Sequence, residues 1–202
     1  MIKSAAISLL FCITPLDARS QVSPDTLSYD VVLSGVKVGK MLAIRHNRQD
    51  GKMLYTLISD VNVNLLAFKV KVFYVVKSIY ENDVLQSATV DTKTNKGVFQ
   101  TRISKEKDLY EIKAHQYRHD LETTLPAPID YSVAKAFFNE PARQDQVFGE
   151  YLGDYLRITP QSQGVYVFER KKQHDQYTYK AGRVNQVEKK FKFMNYVIKR
   201  VD

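Results

Sequence analysis

Few residues in this sequence carry chemistry in their side chains, and most of them stand apart. His115 and His119 are four apart, a spacing that would bring two imidazoles to one metal ion if the segment were helical. The surrounding "YEIKAHQYRHD" instead alternates like a strand entering a turn, and no HExxH glutamate accompanies the pair. His46 and His174 lie in other turn-like stretches and read as solvated side chains. No metal site and no cofactor is therefore expected. No phosphate-binding loop, dinucleotide fingerprint or calcium loop is visible either.

Acid/base work needs two carboxylates whose burial separates their pKa values, and Glu140, Glu150 and Asp154 are the best local group. A hydrolase acting on a glycan or cell-wall substrate through Glu140 and Glu150 is thus the enzymatic alternative. Ser132 has no GxSxG elbow around it and reads as a helix cap. Thirteen tyrosines and ten phenylalanines with no tryptophan suit two roles. They line a cavity for an apolar or amphiphilic, lipid-like molecule, or they fill a core as cross-strand pairs. The leading expectation is non-catalytic: an exported β-domain that binds such a molecule or supports the cell envelope, with a purely structural envelope protein as the third reading.

The export expectation rests on residues 1–20, where Lys3 precedes an apolar run from Ala5 to Ile13 that breaks at Pro15. Ala18 and Ser20 fit the small-x-small rule, which places signal-peptide cleavage before Gln21. The single cysteine, Cys12, lies inside this run with Phe11 before it, which argues against lipidation. The expected mature chain, 21–202, has no thiol, so disulfides, thiolate catalysis and cysteine-ligated metals are excluded there. The expected location is the periplasm or the extracellular space, and the oligomeric state is open.

Charge is unevenly spread. From Val165 to Asp202 there are ten Lys and Arg against four Asp and Glu, although the whole chain carries only +8. An exported protein meets anionic lipid or acidic glycan rather than nucleic acid, so Lys189, Lys190, Lys192, Lys199 and Arg200 form a candidate anionic-surface patch. The competing reading is a lysine-rich strand face that discourages edge pairing.

The elements that position these residues alternate with period two, as half-buried strands do. "YDVVLSGVKVGKM" reads as a hairpin about Ser34-Gly35, with Val36, Val38, Leu42 and Ile44 on one face. "KMLYTLISDVNVN" and "FKVKVFYVVKSIYEN" follow as long strands, the second apolar on both faces through Phe73, Val75 and Ile79. Short connections favour a meander. "HDLETTLPAPID" reads as a loop, because Pro126 and Pro128 interrupt any ladder. A helix is then predicted over 130–139, with Asp130 as N-cap, Val133, Ala134, Phe137 and Phe138 inward, and Ser132, Lys135 and Asn139 outward. Four further strands complete the chain, the last over 189–201 with Phe191 and Phe193 opposed to Lys190 and Lys192. The expected fold is all-β with one short helix. It is a strongly curved antiparallel meander of about ten to twelve strands, closed or nearly closed into a single β-barrel-like domain or roll.

Five stretches together resemble a family of small exported β-proteins of unknown function from Gram-negative bacteria. They are "YDVVLSGVKVGKM", "SIYENDVLQSA", "YSVAKAFFNEP", "VFGEYLGDYLRI" and "QYTYKAGRVNQV". Asp83 stands where that family more often has glycine. The resemblance implies export and an all-β fold, supplies no activity, and nominates Tyr131, Ser132, Asn139, Glu140, Pro141 and Glu150 as signature positions.

Overall fold

The computed structural model describes residues 23–65, 68–171, 173–190 and 195–201. The expected signal peptide over 1–20 and its cleavage point lie outside the described residues, as do Phe191, Lys192 and Phe193.

Fourteen strands form one antiparallel sheet around a four-residue helix. The first eight are β1 (Asp25–Leu33), β2 (Val36–Asn47), β3 (Met53–Leu65), β4 (Phe68–Glu81), β5 (Val84–Thr94), β6 (Gly97–Glu106), β7 (Leu109–Gln116) and β8 (His119–Pro126). The helix α1 (Val133–Ala136) follows. The remaining six are β9 (Gln146–Gly149), β10 (Asp154–Ser162), β11 (Val165–Arg170), β12 (Gln173–Lys180), β13 (Arg183–Lys190) and β14 (Asn195–Arg200).

Each run is a meander of nearest neighbours, and β1 joins the two by pairing with β14, Tyr29 opposite Arg200 and Leu33 opposite Tyr196. The sheet is therefore open at β8 and β9 as a ladder. Side chains and a turn bridge that gap. The 150–153 turn lies on the inner face of β6, β7 and β8, with Thr101 Oγ1 donating to Tyr151 O at 3.3 Å and His119 Nε2 donating to Leu152 O at 2.8 Å. Gly153 sits so close there that a Cβ would fall 2.5 Å from Ile112, and its φ of +66° is one that glycine adopts without strain.

Fourteen strands replace the expected ten to twelve, for three local reasons. Pro126 ends β8 rather than preventing it, because an edge strand tolerates a residue without an N–H. The four residues of β9 are too few to show a period. The strand expected over 189–201 divides between β13 and β14, whose Lys190 and Asn195 are partners, because no turn residue marks the break.

Facing also differs in β2. Met41 and Ala43 point inward while Leu42 is 38% exposed, because Tyr29 and Leu27 of β1 lie opposite Met41 and Ala43 in register. Gly39 belongs to the same packing: a Cβ there would meet Asp60 O of β3 at 2.3 Å. On β4 the outer face, whose apolar Phe73, Val75 and Ile79 suggest cover on both sides, is half-buried at Val75 and Ile79 but open at Phe73, which is 37% exposed. The expected inward face of β7, Tyr110, Ile112 and Ala114, is buried.

Antiparallel order sends alternate connections to opposite ends of the sheet. One end gathers the connections after β4, β6 and β12 around residues 127–140. Ala127 N donates to Asp108 O (2.9 Å), Leu85 N to Ile129 O (2.8 Å), and Glu140 N to Gly182 O (3.1 Å). The helix is shorter than predicted because Phe137 O accepts a hydrogen bond from Val184 N of β13 (3.1 Å), which turns the chain out of helical continuation. Tertiary contacts hold a segment that would be marginal alone. Phe137 meets Tyr29 and Tyr177 edge-on at 5.5 and 6.3 Å, and Phe138 lies against Tyr55 with Arg45 5.2 Å above its ring.

Candidate functional site

Of the signature positions, Tyr131, Ser132, Pro141 and Glu150 are buried, Glu140 is half-buried and Asn139 is exposed. Glu150 is the focus. Its carboxylate accepts hydrogen bonds from Ser78 Oγ at 2.9 Å and from the Ala134 amide at 3.1 Å, with 2% of the residue exposed. The Ala134 amide belongs to the first turn of α1, where orphan donors otherwise go unmet. Glu150 therefore does what Asp130 was expected to do. Asp130 is exposed, and Ser132, in the N-cap position, makes no side-chain capping bond.

Ser132 and Tyr80 face the same carboxylate, although their hydroxyls complete no hydrogen bond of ordinary geometry. Burial pushes the Glu150 carboxyl above the usual range, and the facing hydroxyls and amides, Ser132 first, pull the other way. Burial likewise raises the Tyr80 phenol, with the Glu150 charge adding to it. Ser78 and Tyr80 were not among the nominated residues. Their signal was present in "SIYEN", one of the five stretches of resemblance, which meets "YSVA" and "FGE" at this carboxylate.

Two further contacts pin the same segment. Lys135, expected to face solvent, is buried and donates to Asp83 Oδ1 at 2.9 Å and to Asp130 O at 2.8 Å, its ammonium 5.0 Å above the Tyr80 ring. Asn82 and Asp83 both have positive φ, 50° and 65°, the backbone of a type I′ turn. Glycine would serve that turn, but only aspartate also supplies the carboxylate that meets Lys135. Tyr131 Oη donates to Asn139 O at 2.5 Å, and the Tyr131 carbonyl accepts from Phe148 N at 3.0 Å.

Glu140 belongs to a separate network, accepting from Tyr166 Oη at 3.0 Å. Glu140 and Glu150 share no hydrogen-bond partner among the described residues. Asp154, the third carboxylate of that group, accepts two hydrogen bonds from Arg170. His115 pairs with Asp120, and His119 with the Leu152 carbonyl. No cluster of three metal-ligating side chains occurs among the described residues.

The residues of the expected C-terminal patch differ in facing. Lys189 turns inward and pairs with buried Asp175 at 2.7 Å. Burial opposes its charge, but Asp175, Tyr177 and Tyr196 together hold the ammonium well above its ordinary range. Lys190 and Lys199 are exposed, Arg200 is half-buried opposite Tyr29, and Lys192 lies outside the described residues.

The curved sheet, its inner helix and the enclosed polar centre define a β-barrel-like protein. A crystal structure with the same fold is that of a β-barrel-like protein of the domain of unknown function DUF1849 from Brucella abortus. It is 11% identical, covers 89% of this chain and 96% of its own, and has a TM-score of 0.51. The chain itself belongs to the family described as a domain of unknown function, DUF6134, matched over residues 29–201. No curated protein matches its sequence.

Proposed function

We propose that the protein is an exported, non-catalytic β-domain of the cell envelope that binds an amphiphilic, lipid-like molecule or surface through its exterior. One observation carries the non-catalytic part: Glu150, one of the two signature carboxylates and half of the expected acid/base pair, is enclosed and bonded to Ser78 and Ala134, where it braces α1. A general acid or base must reach the proton it transfers, and no substrate reaches a group with 2% exposure. The aromatic side chains that suited a ligand cavity meet one another instead, as in Tyr29 with Phe137 and Phe168 stacked on Tyr177 at 4.0 Å. Binding is therefore assigned to the outer surface. Export is supported by residues 1–20 as a sequence.

Native mass spectrometry of protein purified from its own host tests this reading. A co-purified amphiphile is the expected result, whereas glycan cleavage that disappears in Glu140→Gln would replace the proposal with the hydrolase. Protein that carries no amphiphile and binds none would leave a purely structural envelope role.

A further inference from the structure

At the end opposite α1, the outer face of β3 to β6 carries an unpaired basic surface interleaved with apolar side chains. Lys69, Lys71 and Phe73 alternate along β4 on one face. Asn64 lies opposite Lys69 and Asn62 opposite Lys71 on β3, and Lys93 of β5 lies between Phe73 and Val98 of β6. Val98 is 67% exposed. Two adjoining shallow clefts share Lys71 and Asn95, the larger about 400 Å³ and lined also by Asp60, Phe73, Lys93 and Thr94. At the neighbouring connection after β7, Tyr117 is 43% exposed, lies edge-on to Phe99 at 5.8 Å, and has Arg118 5.1 Å above its ring.

The charges here are uncompensated. No carboxylate lies within 4.0 Å of Lys69, Lys71, Lys93 or Lys96 among the described residues, and Asp60 is the one acid that lines the clefts. Some lysines elsewhere do find acids, as Lys37 does with Asp30 and Lys113 with Glu122; what sets this face apart is that four acid-free lysines surround exposed apolar side chains.

We infer that this face docks the protein on an anionic phospholipid bilayer, with Lys69, Lys71, Lys93 and Lys96 over the headgroup phosphates and Phe73, Val98 and Tyr117 at the acyl boundary. Three features favour a bilayer over a folded acidic partner. Lysine is a hydrated point charge suited to a diffuse anionic surface, whereas bidentate carboxylate recognition favours arginine. The apolar side chains are scattered between the charges rather than gathered into a pocket. Tyrosine and short apolar projections are what the membrane interface accepts. No described helix is long and apolar enough to cross a membrane, so the contact is peripheral. The inference deepens the envelope reading above and rests on it.

The test is co-sedimentation of the purified protein with vesicles of phosphatidylglycerol mixed with phosphatidylcholine, against phosphatidylcholine alone, across a salt series. Expected are binding to the anionic vesicles only, decline with salt, and affinity about fivefold lower per lysine removed in Lys69→Gln, Lys71→Gln and Lys93→Gln combined. Lys105→Gln, Lys107→Gln and Lys180→Gln, which remove the same charge elsewhere, should bind like the wild type. If the triple variant melts abnormally, Lys93→Gln alone should still show the fivefold loss. Equal binding to both vesicle types, an unaffected triple variant, or equal loss in the control variant overturns the inference. So does binding to dextran sulfate without binding to vesicles, which assigns the face to acidic glycans. A co-purified amphiphile seen by native mass spectrometry beside a failed vesicle assay overturns this face while leaving the envelope reading intact.

Discussion

The two ends of the sheet solve opposite problems with the same kind of hairpin. Around residues 127–140 the connections after β4, β6 and β12 are tied down. Asp83 meets Lys135, the carbonyls of Asp108 and Gly182 accept from Ala127 and Glu140, and Asp25 is held by both Arg45 and Arg183. At the other end, the outer face of β3 to β6 leaves its lysines without acids and its Phe73 and Val98 in water. The long-range ties of the 127–140 segment gather at one end, then, while the outer face at the other end carries side chains with no such partner.

The largest expected effect tests the braced end. Phe137→Ala removes a ring held between Tyr29 and Tyr177 and should cost about 3–5 kcal/mol in urea melts. A loss below about 1 kcal/mol would show that α1 is not docked as described.

The second concerns the interior beneath β12 and β13. Asp175→Asn leaves the Lys189 ammonium without its partner and should cost about 3 kcal/mol, whereas Asp175→Leu with Lys189→Met should be close to neutral. A double variant as unstable as the single one would mean that the pair contributes through more than its own charges.

The third is a slope rather than a loss. Because burial raises the folded-state pKa of Glu150, its favourable contribution is complete below the unfolded carboxylate value and is lost as pH rises through the folded one. Glu150→Gln keeps an acceptor for Ser78 and Ala134 but cannot ionise. Relative to the wild type, its stability should therefore rise as pH increases above the ordinary carboxylate range. A difference that is flat with pH would show that the carboxyl titrates alike in both states.

The smallest effect sharpens the contrast from the far side. Val98→Ser and Lys93→Gln should each change stability by no more than about 0.5 kcal/mol, because neither side chain has a buried partner. A larger loss would mean that the far face also holds the fold together.

How much of this was legible in the sequence depended on whether neighbours in the chain were also neighbours in space. Period-two alternation placed β3, β4 and β7, and helical spacing placed the inward Phe137 and Phe138, because each element's face is written locally. It misjudged β2, whose inward face is chosen by β1 through the match of Tyr29 with Met41. The alternation also read β13's last residues and β14 as one strand, and the patch built on it lost Lys189 to Asp175, fourteen residues earlier. The polar centre was half legible. Family-like stretches named Ser132 and Glu150, but that Ser78 would lie against Glu150, 72 residues away, is a fact about the curvature of the sheet.

The pairing of β1 with β14 also governs the order of assembly. Although β14 is far from β1 in the chain, it lies in the interior of the sheet, between β1 and β13. Loop-closure entropy for that contact is paid over nearly the whole described chain, so the step should be slow compared with zipping the hairpins on either side. Until it happens, two partial sheets carry raw edges, a condition that invites association with other chains. Loss of β14 would accordingly not trim a margin. It would leave an eight-stranded piece and a five-stranded piece, each with an edge that the intact protein never shows.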